Sequence, residues 1–449
     1  MDFNVISYGA RGDGCTNDVT AIQNAIDDCS KQGGRVIFPS GYTFYTSSVE
    51  IKKDVEMHLE KGAVLKATSD INEYIRPCNM INDPETALVG NPVTEKPSFV
   101  FVYGKKADNC SITGEGTIDG NCYAFVERQN EYYVTGSFYP RPTMIYIEDS
   151  NNLVFRDVTL TNAPFWTLHP AACENVLIDS VKILNPLDVA NSDGIDPDHC
   201  HKVEIRDCMV ICADDCICLK NTNGNREYGE CTDIHVHDCE LTSTSAAIKI
   251  GTEGINNFRN VLFERCNITK SNRGISIQIR DCGNVENVTF RDISIQTRRF
   301  HSSWWGTAEP IIITSFRRDE NTHSGRVKGI TFKNITCESE NGVLIYCDKG
   351  EIEDITFDNV SVEVGKKSKW NCGLYDLRPC IDHGIEEHKN CALRIKNANY
   401  ITLLNSRFGF CEDKHKDYSY DLLIENVNNM EIANTEFNTF SLLRHQKDT

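Results

Sequence analysis

No run of about 18 apolar residues occurs anywhere in the chain, which removes a membrane-spanning helix from consideration. Positive charge is also in short supply: 46 Lys and Arg stand against 65 Asp and Glu, a formal net charge of −19, and no basic stripe offsets it. Nucleic acid and anionic membranes are therefore not expected as partners, and long anionic polysaccharides are disfavoured. Linkers and low-complexity segments are missing too, so the 449 residues are expected to form a single domain, 1–449. The start, Met1-Asp2-Phe3-Asn4-Val5, lacks a basic n-region and an apolar h-region. The expectation is a cytoplasmic protein, or a secreted one if a leader has been removed.

Cysteine is plentiful, but a disulfide framework is not. The 21 cysteines are odd in number and run from Cys15 to Cys411 without the spacing of a small stapled scaffold. Reduced thiols are expected, in a reducing compartment or an anaerobe. Cys208, Cys239 and Cys266 each follow an apolar triplet at the same offset, which predicts small buried side chains stacked in an interior. A metal site could be built on Cys212, Cys216 and Cys218, but no second pair at zinc spacing accompanies them. No metal and no cofactor are expected.

What the sequence does contain is a repeat. Apolar triplets recur at Val154-Phe155, Val176-Leu177-Ile178, Val203-Glu204-Ile205, Ile234-His235-Val236, Val261-Leu262-Phe263 and Val288-Thr289-Phe290, in steps of 22, 27, 31, 27 and 27. The pattern returns at Ile330, Ile355, Ile401 and Met430. Alternation of period two, β-branched residues and Asn or Gly corners make each unit strand-like, which excludes helical repeats, and the leucine-rich consensus is missing. One short strand cannot bury both of its faces, so the turns must stack. The predicted fold is all-β, a right-handed parallel β-helix or solenoid. Val19, Ile22, Ile26 and Cys29 predict a short amphipathic capping helix over 18–31, with Asn17 as N-cap and Gly33 or Gly34 past its end. Loop insertions are expected near 300–310 and 366–391.

Two aspartate clusters lie about one turn apart: Asn191-Ser192-Asp193-Gly194-Ile195-Asp196 and Ala213-Asp214-Asp215-Cys216, with 21 residues between Asp193 and Asp214. Stacked turns would bring Asp193, Asp214 and Asp215 to one patch. Glycosidic hydrolysis needs a protonated carboxyl for the leaving oxygen and an ionised one to activate water or attack the sugar. Either cluster alone also reads as ordinary turn residues. For an inverting pair the carboxyl groups should stand about 6.5–9.5 Å apart.

The opening Val5-Ile6-Ser7-Tyr8-Gly9-Ala10-Arg11-Gly12-Asp13-Gly14, with Ala21 to Ile26 and Gly34 to Gly41, resembles the start of pectin-active β-helix enzymes. The two aspartate motifs narrow the resemblance to the polygalacturonase family, glycoside hydrolase family 28. It implies Asp214 as general acid and Asp193 with Asp215 as holders of the hydrolytic water, with inversion, acting on an oligosaccharide or polysaccharide; we expect exo action on oligosaccharides. The chain departs from the family at Ser245-Ala246-Ala247, where a Gly-His-Gly segment is usual, and at Ser276-Ile277-Gln278, where Arg-Ile-Lys grips the galacturonate carboxylate. The simplest consequence is a non-standard sugar, and Arg280 is the nearby cation that could restore the clamp and so counts among the candidate substrate contacts.

Further substrate contacts are expected from Asn191, from Lys249 and Glu253 in a segment that resembles a divergent branch of the family, and from His169 beside Trp166. Trp305 and Arg378, on the two insertions, are expected as cleft walls. The competing readings are a solvated Lys and a turn Glu, a core histidine, and Trp rings packed on the body. A polysaccharide lyase on the same fold and a non-catalytic carbohydrate-binding β-helix are the alternative functions.

Overall fold

The structure is a computed structural model that describes residues 1–77, 96–128, 134–135, 141–302, 304–348, 351–437 and 442–445. The chain divides into two compact units, Met1–Asp214 with Thr222–Tyr228, and Asp215–Asn221 with Gly229–Thr449. Each is a stack of parallel coils, the parallel β-helix that the repeat predicts.

In the first unit, the strands Asn151–Arg156, Glu174–Asp179 and His201–Arg206 pair in parallel. Their inward residues align as Leu153, Val176 and Val203, then Phe155, Ile178 and Ile205, all buried. The first step is therefore 23 residues, from Leu153 to Val176, rather than the 22 expected from Val154. With a period of two, a one-residue slip would turn Phe155 outward, and its burial fixes the register. Asn152 and Asn175 occupy left-handed corners at φ 60° and 56°, and the Asn175 amide donates to the Asn152 side-chain oxygen at 3.3 Å. Asn tolerates this backbone conformation and satisfies its amide on the next coil.

The unit's first coil is covered by a helix, Val19–Ser30, that buries Ala21, Ile22, Ala25, Ile26 and Cys29. Its N-terminus is capped from one residue before the formal N-cap position. Asn17 Oδ1 accepts from the Val19 N–H at 3.1 Å, as expected of a cap. Asp18 occupies the formal N-cap position, yet its carboxylate instead holds the amides of Arg11 and Gly12 at 2.7 and 2.9 Å. Gly33 follows the helix in the left-handed region, φ 76°.

In the second unit, the strands Cys231–His237, Phe258–Glu264, Val285–Thr297, Arg326–Ser339 and Glu351–Val364 stack in parallel. One register row reads Ile234, Val261, Val288, Ile330, Ile355, the starting residues of the sequence triplets. Two positions on, Phe263, Phe290, Phe332 and Phe357 form a continuous ring stack with centroids 5.3, 5.1 and 4.9 Å apart. Each buried ring contributes about 1.5–3 kcal/mol by removal from water. Cys239 and Cys266 are buried as predicted, and the Cys266 thiol is pushed well above its ordinary range, first by neighbouring Cys239 and then by burial. Cys208 of the first unit is buried as well.

The insertion after Val364 departs from the coil pattern. Leu374–Asp376 pairs antiparallel with Ile385–Glu387, a small hairpin outside the parallel ladder. Among the described residues no helix is long and apolar enough to cross a membrane, and no cysteine forms a disulfide.

Candidate active site

Asp193 sits on an irregular segment held in register by the coil before it. The amides of Thr167 and Leu168 donate to the carbonyls of Asp193 and Gly194, each at 3.0 Å. Ser192 Oγ accepts from the Ala213 N–H at 3.3 Å, which places the second aspartate motif beside the first. Asn191 makes the bend between them at φ 57°. Its N–H donates to Asp214 Oδ2 at 3.2 Å, and its side-chain oxygen accepts from Arg141 at 2.8 Å. Arg141 is 2 % exposed and also donates to the carbonyls of Pro164 and Ala190. Asn191 thus positions the acid candidate through its backbone, while Arg141, which the sequence reading missed, pins the bend.

Asp193 and Asp214 each present a carboxylate oxygen within 4.8 Å of the other, and both side chains are almost completely buried. That bound applies to one oxygen of each side chain, whereas about 6.5–9.5 Å is the spacing of whole carboxyl groups in an inverting pair. Two carboxylates this near favour a state in which one holds the proton and the other the charge, because ionising both would set like charges together in a poorly solvated place.

His169 and Trp166 lie in the same unit but belong to its interior, a correction to their expected place in a sugar subsite. His169 is fully buried, its Nε2 3.2 Å from Asp198 Oδ2, with the rings of Tyr146 and Trp166 4.8 and 4.9 Å away. Trp166 is 3 % exposed. The physical reason is Asp198, a fully buried carboxylate that also receives the Thr222 N–H and hydroxyl and the Asn225 amide. Burial opposes its charge, but these donors together with His169 and His199 hold it well below the usual carboxylate range.

The next residue along the chain, Asp215, belongs to the second unit. Its Oδ2 lies 2.6 Å from Lys249 Nζ, and its Oδ1 accepts from the Ser245 hydroxyl at 3.1 Å and the Ala246 N–H at 3.3 Å. The strand Ala246–Gly254 fixes that geometry by pairing Ile248 and Lys249 with Ile217 and Cys218. Burial works against the Lys249 charge, but the Asp215 carboxylate prevails and raises the ammonium above its ordinary range.

Where the family resemblance leads one to expect a histidine, Ala246 is in register with Arg273 on the following strand. Arg273, 2 % exposed, donates to Gln278 Oε1 at 3.2 Å, to Glu309 at 3.3 Å and to the Asp376 carbonyl at 2.5 Å. Ser276 Oγ also donates to Gln278 Oε1, at 3.0 Å. Arg273 was legible in principle, since it lies one 27-residue period after Ala246.

Arg280 does not replace the clamp. Its guanidinium is fully buried and donates to the carbonyls of Pro379, Leu377 and Ile279 and to the Thr314 hydroxyl, at 2.6, 3.0, 2.9 and 3.0 Å. Burial lowers its pKa to about 9. The inserted 374–380 segment leaves carbonyls facing inward, and a planar five-donor group is what satisfies them. Glu253 is likewise corrected from substrate contact to interior partner. It is 4 % exposed, 3.3 Å from Lys220 Nζ and 2.7 Å from the Thr252 hydroxyl.

The two insertions contact each other through Trp305 and Arg378. Trp304 is buried, whereas Trp305 remains 36 % exposed with the Arg378 guanidinium 4.9 Å above its ring. Arg378 is held by Asp376 at 2.8 Å, and the same carboxylate accepts the Gly306 N–H at 2.8 Å. Gly306 has φ 102°, and a Cβ there would stand 2.8 Å from the Arg273 side chain, so a larger residue would push the wall off its support. Cys212, Cys216 and Cys218 are buried, with Sγ donating to the carbonyls of Asp214, Thr242 and Gly251.

The sequence model of glycosyl hydrolases family 28 matches residues 80–380. The chain belongs to that family. It is 26 % identical over 388 residues to a probable polygalacturonase of Vitis vinifera, covering 82 % of this chain and 76 % of the relative. Among solved structures, an exopolygalacturonase of Thermotoga maritima superposes with a TM-score of 0.66 at 22 % identity, over 82 % of this chain and 88 % of that one. A family 28 exopolygalacturonase of Yersinia enterocolitica gives 0.70 at 17 % identity, over 96 % and 78 %. The family 28 chain is thus a glycosidase that hydrolyses O-glycosyl bonds on a right-handed parallel β-helix.

Proposed function

We propose that this family 28 glycosidase releases sugars from the ends of pectin-related or other plant or host oligosaccharides, with inversion at the anomeric carbon. Asp214 donates the proton to the leaving oxygen. Asp193 and Asp215 accept from the hydrolytic water, and the Lys249 ammonium holds the Asp215 carboxylate in place. The observation that carries the reading is the close approach of Asp193 and Asp214, with Asp215 following directly in the chain.

Inversion is supported by the third carboxylate: with Asp215 beside Asp214 in the chain, two acceptors remain for a water after the acid is assigned. Exo action is the reading under which the contacting insertions of Trp305 and Arg378, on coils that follow Lys249 in the chain, close one end of the substrate's path. Lys249 does not favour a lyase. A proton-abstracting base must be neutral, and this ammonium is held in its charged form.

Proton NMR of the newly released reducing end tests the stereochemistry, and product chromatography at early time tests the mode. The expected result is an anomer opposite to that of the substrate bond and a single small product from the first turnovers. Retention, or a ladder of intermediate lengths, would overturn the corresponding part.

A further inference from the structure

A second cluster of reactive side chains lies in the second unit, outside the residues used above. Cys372, on the 366–391 insertion, has its Sγ 3.3 Å from His415 Nδ1 and 3.8 Å from Asp417 Oδ2. His415 Nδ1 and Asp417 Oδ2 are 3.6 Å apart. A tetrahedral zinc, with a sulfur ligand at about 2.3 Å and nitrogen and oxygen ligands at about 2.0–2.2 Å, sets its donors roughly 3.3–3.6 Å from one another. All three separations fall close to that range.

The support around the cluster is built rather than incidental. Asn390 ties both segments together: its Oδ1 accepts from the Gly373 N–H at 2.5 Å, and its own N–H donates to the Asp417 carbonyl at 2.9 Å. Tyr418, 4 % exposed, anchors the other side through its hydroxyl to the Glu340 carbonyl at 2.9 Å. The Asp417 N–H donates to His415 Nδ1 at 3.3 Å, so that nitrogen carries a lone pair, which a bound metal would take over from the amide. A fourth direction opens to a cavity of about 620 Å³ lined by Leu374, Glu387, His388, Lys389 and Lys416.

We propose that Cys372, His415 and Asp417 form a binding site for a zinc-class divalent cation, with a water or cavity ligand in the fourth position. The donor set of one sulfur, one imidazole and one carboxylate suits zinc over magnesium or calcium, which take oxygen ligands. On binding, the Cys372 thiol gives its proton to water. Thiolate, carboxylate and neutral imidazole then balance the two positive charges of the metal. Bound metal staples the insertion that carries Asp376 and Arg378 to the segment around 411–420. This role is independent of the hydrolytic residues.

The test is titration of the full chain, stripped with chelator, with cobalt(II) alone and then with zinc(II). One equivalent of cobalt is expected to give a thiolate-to-metal charge-transfer band that zinc abolishes. The band should be absent in Cys372→Ser, and binding at least about tenfold weaker in His415→Gln and Asp417→Asn. Zinc should raise the thermal midpoint of the unmodified protein and leave Cys372→Ser unmoved. No band in the unmodified protein, or an unchanged band in Cys372→Ser, overturns the proposal. If Cys372→Ser folds poorly, unchanged metal affinity in His415→Gln overturns it equally.

Discussion

Lys249 Nζ lies 2.6 Å from Asp215 Oδ2, an ammonium set directly on the carboxylate that follows the acid candidate in the chain. In a family 28 enzyme with Ala246, Ser276 and Gln278 at the positions where the family usually has His, Arg and Lys, this pair is a direct cationic contact on the aspartate motif. Replacing Lys249 with Met should lower kcat by about a hundredfold, the scale of removing one preorganised electrostatic partner. The assay is steady-state turnover with circular dichroism as a folding control, and near-native kcat would refute the role.

Asp214→Asn should reduce turnover by roughly a hundredfold or more while leaving substrate binding largely intact, since an amide of equal size cannot serve as the acid. A substrate with a poor leaving group must be used. An aryl glycoside, whose leaving group needs little protonation, should lose far less, and the contrast between the two identifies the acid.

Oligogalacturonides should be poorer substrates than neutral oligosaccharides at matched concentration and low salt. Ser276 and Gln278 offer no charge to a sugar carboxylate, and Arg280 is spent on main-chain carbonyls. Arg280→Ala is accordingly expected to lower the thermal midpoint without changing KM. A large KM effect specific to oligogalacturonides would return Arg280 to the substrate site.

The coil register was legible because stacking demands the same kind of residue at the same height in every turn. Ile234, Val261 and Val288 could be aligned from spacing alone. Arg280, Glu253 and His169 were misplaced for a different reason. Each is a polar residue near a motif in sequence, and only the fold shows that a buried partner claims it: the 377–379 carbonyls, Lys220 and Asp198 respectively. The hairpin at Leu374–Asp376 and Ile385–Glu387 was visible only as an interruption, since an antiparallel pair off the ladder leaves no periodic trace.

Acid should weaken the protein through Glu253. Burial alone would raise its pKa, but Lys220, Arg318 and Lys249 outweigh it and push the value down to about 2 from the usual 4.5. A depressed folded value means stability that is complete above about pH 4.5 and lost as the pH falls towards 2, on the order of 3 kcal/mol in total. Glu253→Gln should flatten the dependence of unfolding free energy on pH in that window. At neutral pH it should cost a further penalty, because Lys220 loses its carboxylate. An unchanged slope in urea melts from pH 5 to 2.5 would count against the assignment.

The equal 27-residue steps from Ile234 to Val261 and on to Val288 make the coils of that stretch interchangeable parts. Excising Val261 to Asn287 would leave Ile234 facing Val288 and Val236 facing Phe290, apolar against apolar, with the corner preserved by Asn260 in place of Asn287. What such a deletion discards is Arg273, Gln278 and Arg280, and with the two arginines the donors that hold the carbonyls of Asp376, Leu377 and Pro379. The scaffold can therefore gain or shed a turn while keeping its ladder, so that substrate preference changes by the coil and the body that carries it remains the same.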